Sequence, residues 1–148
     1  MIGNMAHGTA SSTYLEQEIL SEGPLARVAR VYDMALQQVS RARASLATGA
    51  LAKKGVAIGR AADCITLLQS SLNMSRGGEV AKNLDRIYAY LLRRIGEGHL
   101  RNDDSALAEV ATHLQELGGA WREVARRTGT EGTDLKSVPD SAPARASL

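Results

Sequence analysis

Four stretches of this chain carry apolar residues at alternating steps of three and four. The first runs Val28, Tyr32, Ala35, Val39, Ala42, Leu46, and the second Ile58, Ala61, Ile65, Leu68, Leu72. The third runs Val80, Leu84, Ile87, Leu91, Ile95, and the fourth Leu107, Val110, Leu114, Leu117, Trp121, Val124. Such steps average the 3.6-residue turn of an α-helix, so each stretch presents one continuous apolar face. No stretch alternates with the period of two that a half-buried strand needs. Short turns between the stretches force consecutive helices to run antiparallel. The prediction is an all-α, antiparallel up-down-up-down four-helix bundle.

The punctuation fits this scheme. Pro24 suits a first helical position, where its missing N–H costs nothing, and Gly49 suits a helix end. The second helix is expected to begin between Leu51 and Lys54. Gly55 and Gly59 each weaken it by up to ~1 kcal/mol relative to alanine, so its first turns are expected to fray. Gly77 is read as closing the second helix and Gly78 as opening the third, with Glu79 well placed against the positive pole of the new helix. The third helix is expected to reach His99 or Leu100, and "RNDDS" (101–105) to supply both a turn and a cap for the fourth. Arg126, Arg127 and Gly129 make a suitable end for the fourth. Residues 1–12 and 129–148 read as disordered, leaving a helical-bundle domain over 13–128. Within it, "TYLEQEIL" (13–20) forms a short amphipathic segment ahead of the bundle.

Composition narrows the function. The chain has 148 residues, no Phe and one Trp, so aliphatic side chains must build the core. A net charge of +2 does not mark a nucleic-acid binder. The single cysteine, Cys64, cannot form an internal disulfide and fits a reducing compartment. No apolar run approaches a membrane span of ~20 residues, and the N-terminus lacks the pattern of a signal peptide. The expected location is the cytoplasm. His7, His99 and His113 are scattered, and no repeated Glu-x-x-His pair suggests a di-metal bundle. No enzyme chemistry, metal or cofactor is expected.

The third stretch is more apolar than a seam requires. On a helical wheel Val80, Leu84, Ile87, Leu91 and Ile95 form the seam, while Ala81, Tyr88 and Leu92 widen the arc to roughly 140°. Tyr90 lies apart from the arc; Asn83 and Arg94 flank it. Either the wide stripe touches two neighbouring helices, or part of it forms a groove for another apolar segment.

"SLNMSRGGEVAKNLDRIYAYLLRRI" (71–95) resembles the signature of the bacterial flagellin export chaperones, the FliS family. That family shows Ser-Leu-Asp-Met-x-x-Gly-Gly, then Asn-Leu-x-x-x-Tyr-x-Tyr and a pair of arginines. Pro24 eight residues before Tyr32-Asp33, "KKGVA" (53–57), "LRND" (100–103), "AWRE" (120–123) and Tyr14 fall in the family's order. Two departures stand out: "SEGP" where the family has Thr-Ala-Ser-Pro, and "YDM" where it has Tyr-Asp-Gly. Arg27 and Arg30 also interrupt a first helix that is more continuously apolar in the family.

The resemblance implies a non-enzymatic cytoplasmic chaperone that binds the disordered C-terminal region of flagellin. Such a chaperone prevents premature polymerisation and assists delivery to the export apparatus. On the wheel, the candidate partner contacts are Leu84, Ile87, Tyr88, Tyr90 and Leu91. Asn83 and Arg94 either bond a bound helix or form a solvated face. Tyr32 is either a contact or a core residue whose hydroxyl finds a partner near the bundle end. Tyr14 and Ile19 would form a movable N-terminal cover or, in the plainer alternative, a helix packed permanently on the bundle. An export-gate component or an anti-sigma factor is a candidate second partner, and a homodimer is left open. The rival function is a self-associating helical adaptor or regulatory protein.

Overall fold

The structure, a computed structural model, describes residues 23–131. Among these residues it contains four helices and no strand: α1 (Pro24–Ala47), α2 (Leu51–Ser70), α3 (Gly78–Arg101) and α4 (Asp104–Glu131). The expected N-terminal cover, with Tyr14 and Ile19, lies outside the described residues, as does the tail beyond 131.

α1 starts with Pro24 at its first position. It stops where the Thr48 hydroxyl turns back to the carbonyls of Ala44 and Ser45, at 3.3 and 3.2 Å, and Gly49 takes φ +76°. α2 ends earlier than the glycine pair suggests, at Ser70 rather than Gly77. The Ser70 and Ser71 hydroxyls both donate to the Leu67 carbonyl, at 3.0 and 2.7 Å. Asn73 Oδ1 then accepts from the Ser75 hydroxyl at 2.9 Å and the Arg76 amide at 3.1 Å. Short polar side chains thus compete with the helix for its own backbone groups. Gly77 closes this turn against the next helix, because a Cβ there would lie 2.5 Å from Ala81 Cβ.

α3 ends at Asn102, in the left-handed conformation with φ 51°. Asp103 caps α4, its Oδ1 accepting from the Ser105 amide at 3.0 Å and the Ser105 hydroxyl at 2.6 Å. α4 passes through Gly129 and continues to Glu131. At the start of α2, where fraying is expected from the glycines, Lys54 is buried. Its ammonium donates to the His99 carbonyl at 3.0 Å and to Asn102 Oδ1. A cation therefore sits at the negative end of α3 and ties it to α2.

α1 packs most closely on α2 and α4, and α3 completes the square with looser contacts to the same two helices. Side-chain size sets the spacing. α1 turns Ala29, Ala35 and Ala42 inward, α2 turns in Ala57 and Ala61, and Gly118 of α4 lies under Tyr32. α3 contributes the larger Leu84, Tyr88, Leu91 and Ile95.

The inward face of α3 is rotated from the predicted seam. Ala81, Leu84, Tyr88, Leu91, Ile95 and Gly98 are buried, while Val80 and Ile87 are only partly so. Both sets obey the three-four rule. The choice falls to Tyr88, whose hydroxyl meets that of Tyr32 across the core.

Candidate functional site

An open apolar recess of about 280 Å³ lies at the end of the bundle where α1 begins, α2 finishes and α3 starts. Its inner wall is Leu25, Leu68, Leu84, Tyr88 and Trp121, all buried core residues. Val28, Leu72 and Val80 stand partly exposed around the mouth. Asn73 and Arg76 of the α2–α3 turn supply polar groups at the rim. The recess exists because α2 stops at Ser70, so the chain detours through a turn instead of closing the gap between α1 and α3.

Behind the wall sits a buried phenol pair. The Tyr32 and Tyr88 hydroxyls hydrogen-bond each other, their rings tilted at 45° with centroids 6.3 Å apart. Burial pushes the Tyr88 hydroxyl up to about 12 and raises Tyr32 further, with the neighbouring Tyr88 adding to the rise. Both stay neutral wherever the fold is stable. The Trp121 indole N–H is buried beside them without a hydrogen bond of normal geometry, although its nearness to the Tyr32 hydroxyl works against the rise there.

A second cluster ties α3 to α4 on the outer surface. Tyr90 donates to Glu109 Oε2, and Arg94 Nε donates to Glu109 Oε1 at 2.7 Å. Arg94 also donates to Glu97 at 2.6 Å, and His113 Nε2 stands 3.6 Å from Glu109. The Tyr90 and Arg94 hydrogen bonds hold the Glu109 carboxylate below its ordinary range. Arg93 lies over the Tyr90 ring, 5.5 Å from its centroid.

The sequence-predicted contact residues therefore divide. Leu84 and Tyr88 line the recess, with Tyr32 behind them. Leu91 is wholly interior, at 0% exposure. Ile87 is half-buried outside the recess lining. Tyr90 and Arg94 belong to the Glu109 cluster, and Asn83 accepts from Arg86 Nη1 at 3.1 Å. Asp85 takes a hydrogen bond from Gln69 at 3.0 Å. Sequence periodicity alone missed Leu25, Leu68, Leu72 and Val28 as lining residues. For Leu68 and Leu72 the available signal was their position at the Ser-Leu-Asn break, where one helix cannot cover its neighbour; Leu25 and Val28 join them only through the tertiary fold.

The family model for the flagellar protein FliS matches residues 5–128. The chain belongs to the FliS family. Salmonella typhimurium has a relative named flagellar secretion chaperone FliS, 33% identical over 111 residues, covering 74% of this chain and 82% of that one. A Pseudomonas aeruginosa relative, flagellar secretion chaperone FliSB, is 33% identical over 107 residues, covering 72% and 85%. The Bacillus subtilis FliS is 23% identical over 119 residues, covering 80% and 88%. For a FliS-family bundle the recess is the feature that stands out, since its apolar lining and polar rim suit an apolar segment whose backbone must still be satisfied. Among the described residues, no helix is long and apolar enough to cross a membrane.

Proposed function

We propose that this chain is a flagellar secretion chaperone that holds the disordered C-terminal region of flagellin, with the recess between α1, α2 and α3 as the principal anchor. The family match over residues 5–128 carries this reading, and the open recess supplies a place for the client. A disordered client loses conformational entropy on binding. Val28, Leu72 and Val80 offer apolar surface to offset that cost, while Asn73 and Arg76 can bond the client's main chain. Holding the segments through which flagellin subunits polymerise keeps them apart before export. An export-gate component or an anti-sigma factor would then meet the chaperone on a face outside the recess.

The test is a titration of a labelled C-terminal flagellin segment with the purified chain, the expectation being a 1:1 complex. Val80→Asp and Val28→Asp should weaken it at least about tenfold, because a carboxylate would be desolvated in an apolar contact. Both positions are partly exposed, so helical circular dichroism should persist. Met34→Asp, at an exposed α1 position outside the lining, is the control. Binding unaltered by the mouth variants would move the anchor elsewhere. A wild-type chain that ignores the segment and self-associates would favour the adaptor reading.

A further inference from the structure

Charge is unevenly distributed between the helices. From Pro24 to Ser70 the chain carries seven lysines and arginines against two carboxylates, Asp33 and Asp63, and Arg122 of α4 engages Asp33. On α3 and α4 cations sit beside acids instead, Lys82 with Glu79 and Arg94 with Glu97 and Glu109. α1 turns Asp33 and Arg43 toward α4, where they meet Arg122 and Asp104. Met34 and Arg41, two turns apart, lie about 90° farther round from Asp33, on the side away from α4. α2 turns Lys54 and Gln69 toward α3, to which both donate hydrogen bonds. Lys53, Val56, Arg60 and Leu67, at steps of three, four and seven, occupy its opposite side. Because α1 and α2 are antiparallel neighbours joined at Gly49, these two sides form one outer face.

The face is open, and its cations outnumber its one carboxylate, the exposed Asp63. Arg41, Lys53 and Arg60 are exposed and form no ion pair among the described residues. Met34, Val56 and Leu67 are 43%, 55% and 53% exposed. Aliphatic and cationic side chains therefore share about 20 Å of α2 and the adjoining flank of α1.

We infer that the outer α1–α2 face docks an acidic amphipathic helix of another protein. Its aliphatic stripe rests on Met34, Val56 and Leu67, and its flanking carboxylates meet Arg41, Lys53 and Arg60. Charge complementarity selects this occupant. A lipid surface fits less well, because the face has no aromatic side chain to anchor at an interface. Tyr32, Tyr88 and Trp121 are buried, and Tyr90 belongs to the α3–α4 cluster. The same lack leaves nothing for a nucleic-acid base to stack on. Asp63 would repel a continuous polyanion, whereas a helix can place an uncharged residue there. The face shares no residue with the apolar recess, so it stands independently of flagellin binding.

The experiment is fluorescence anisotropy of a labelled peptide of Leu-Glu-Ala-Leu-Glu-Glu-Ala heptads, and of its counterpart with Gln for Glu, titrated with the full chain. The acidic peptide should bind at least about tenfold tighter than the neutral one, and more weakly as salt rises. Arg41→Glu and Arg60→Glu should each weaken it about tenfold, and Leu67→Ser about fivefold. Arg101→Glu, the same charge change at an exposed position of α3, should have a much smaller effect. All four positions are exposed, so helical circular dichroism should persist. Equal binding of the two peptides, or equal losses in the three arginine variants, would overturn the assignment by reducing it to net charge. So would phosphatidylglycerol vesicles that bind tighter than the peptide with the same dependence on Arg60. A dimer of the chain alone that Val56→Asp dissociates would also overturn it, by giving the face to a second copy.

Discussion

The Tyr32–Tyr88 pair shows how much one contact can decide. Two phenols lie in an aliphatic core joined by one hydroxyl–hydroxyl hydrogen bond, and their rings fill the space behind the apolar recess. Such a pair is stable only while neutral. The folded hydroxyls titrate above the ordinary value of 10.0, whereas in the unfolded chain they ionise near it. The unfolded state therefore releases protons first as pH rises. The contribution of the pair is intact below pH 10 and is lost as pH climbs towards 12. Unfolding free energies from denaturant titrations should fall steeply across that window, by up to about 1.4 kcal/mol per pH unit for each tyrosine. A Tyr32→Phe chain should show a shallower decline; an equally steep one would place the alkaline sensitivity elsewhere. Lys54 is the other residue whose role depends on burial. Its stem fills space at the α2–α3 contact while its ammonium serves a helix end.

Each helix is bounded by local chemistry as much as by packing. Asp103 satisfies the first turn of α4, and the adjacent Asp104 forms a two-pronged bond with Arg43 of α1, at 2.8 and 3.0 Å. Hydrogen bonds from Ser105 to Asp103 and from Arg43 to Asp104 hold both carboxylates below their ordinary range. Their help is present above about pH 4 and disappears as acid protonates them. Asp103→Ala should lower the melting temperature by about 2–4 °C at neutral pH. The deficit should shrink as pH falls through the carboxylate range, and thermal unfolding over a pH series would reveal it. A constant deficit would mean the side chain acts through something other than its charge-assisted cap. At the opposite end of the molecule, serine and asparagine shorten α2, and that shortening opens the recess.

The bundle as a whole is asymmetric. α1 is clamped closely by α2 and α4 through alanine-rich contacts, while α3 rests against them across bulkier side chains. The recess and the α2–α3 turn lie beside the first turns of α3. Local opening should therefore start there. In hydrogen exchange, amides of the first two turns of α3 should exchange well before those in the middle of α1. Simultaneous exchange would indicate one cooperative unit with no weak edge at the recess. For the disordered client proposed above, a yielding wall on one side of a closely packed α1 is a reasonable division of roles.

The all-α class, the antiparallel order, the break at Gly49 and the Asp103 cap were all legible in the sequence, because each depends on neighbours within about one helical turn. So was the family, carried by the order of landmarks between Tyr14 and Arg127. Rotation of α3 was not. Val80-Leu84-Ile87 and Ala81-Leu84-Tyr88 satisfy the same period, and only a partner 56 residues away, Tyr32, chooses between them. The inward turn of Lys54 likewise required the end of α3, 45 residues on. Periodicity states that a helix has an apolar face; which residues occupy its centre, and which are left at the edge for another molecule, depends on contacts that exist only once the helices have met.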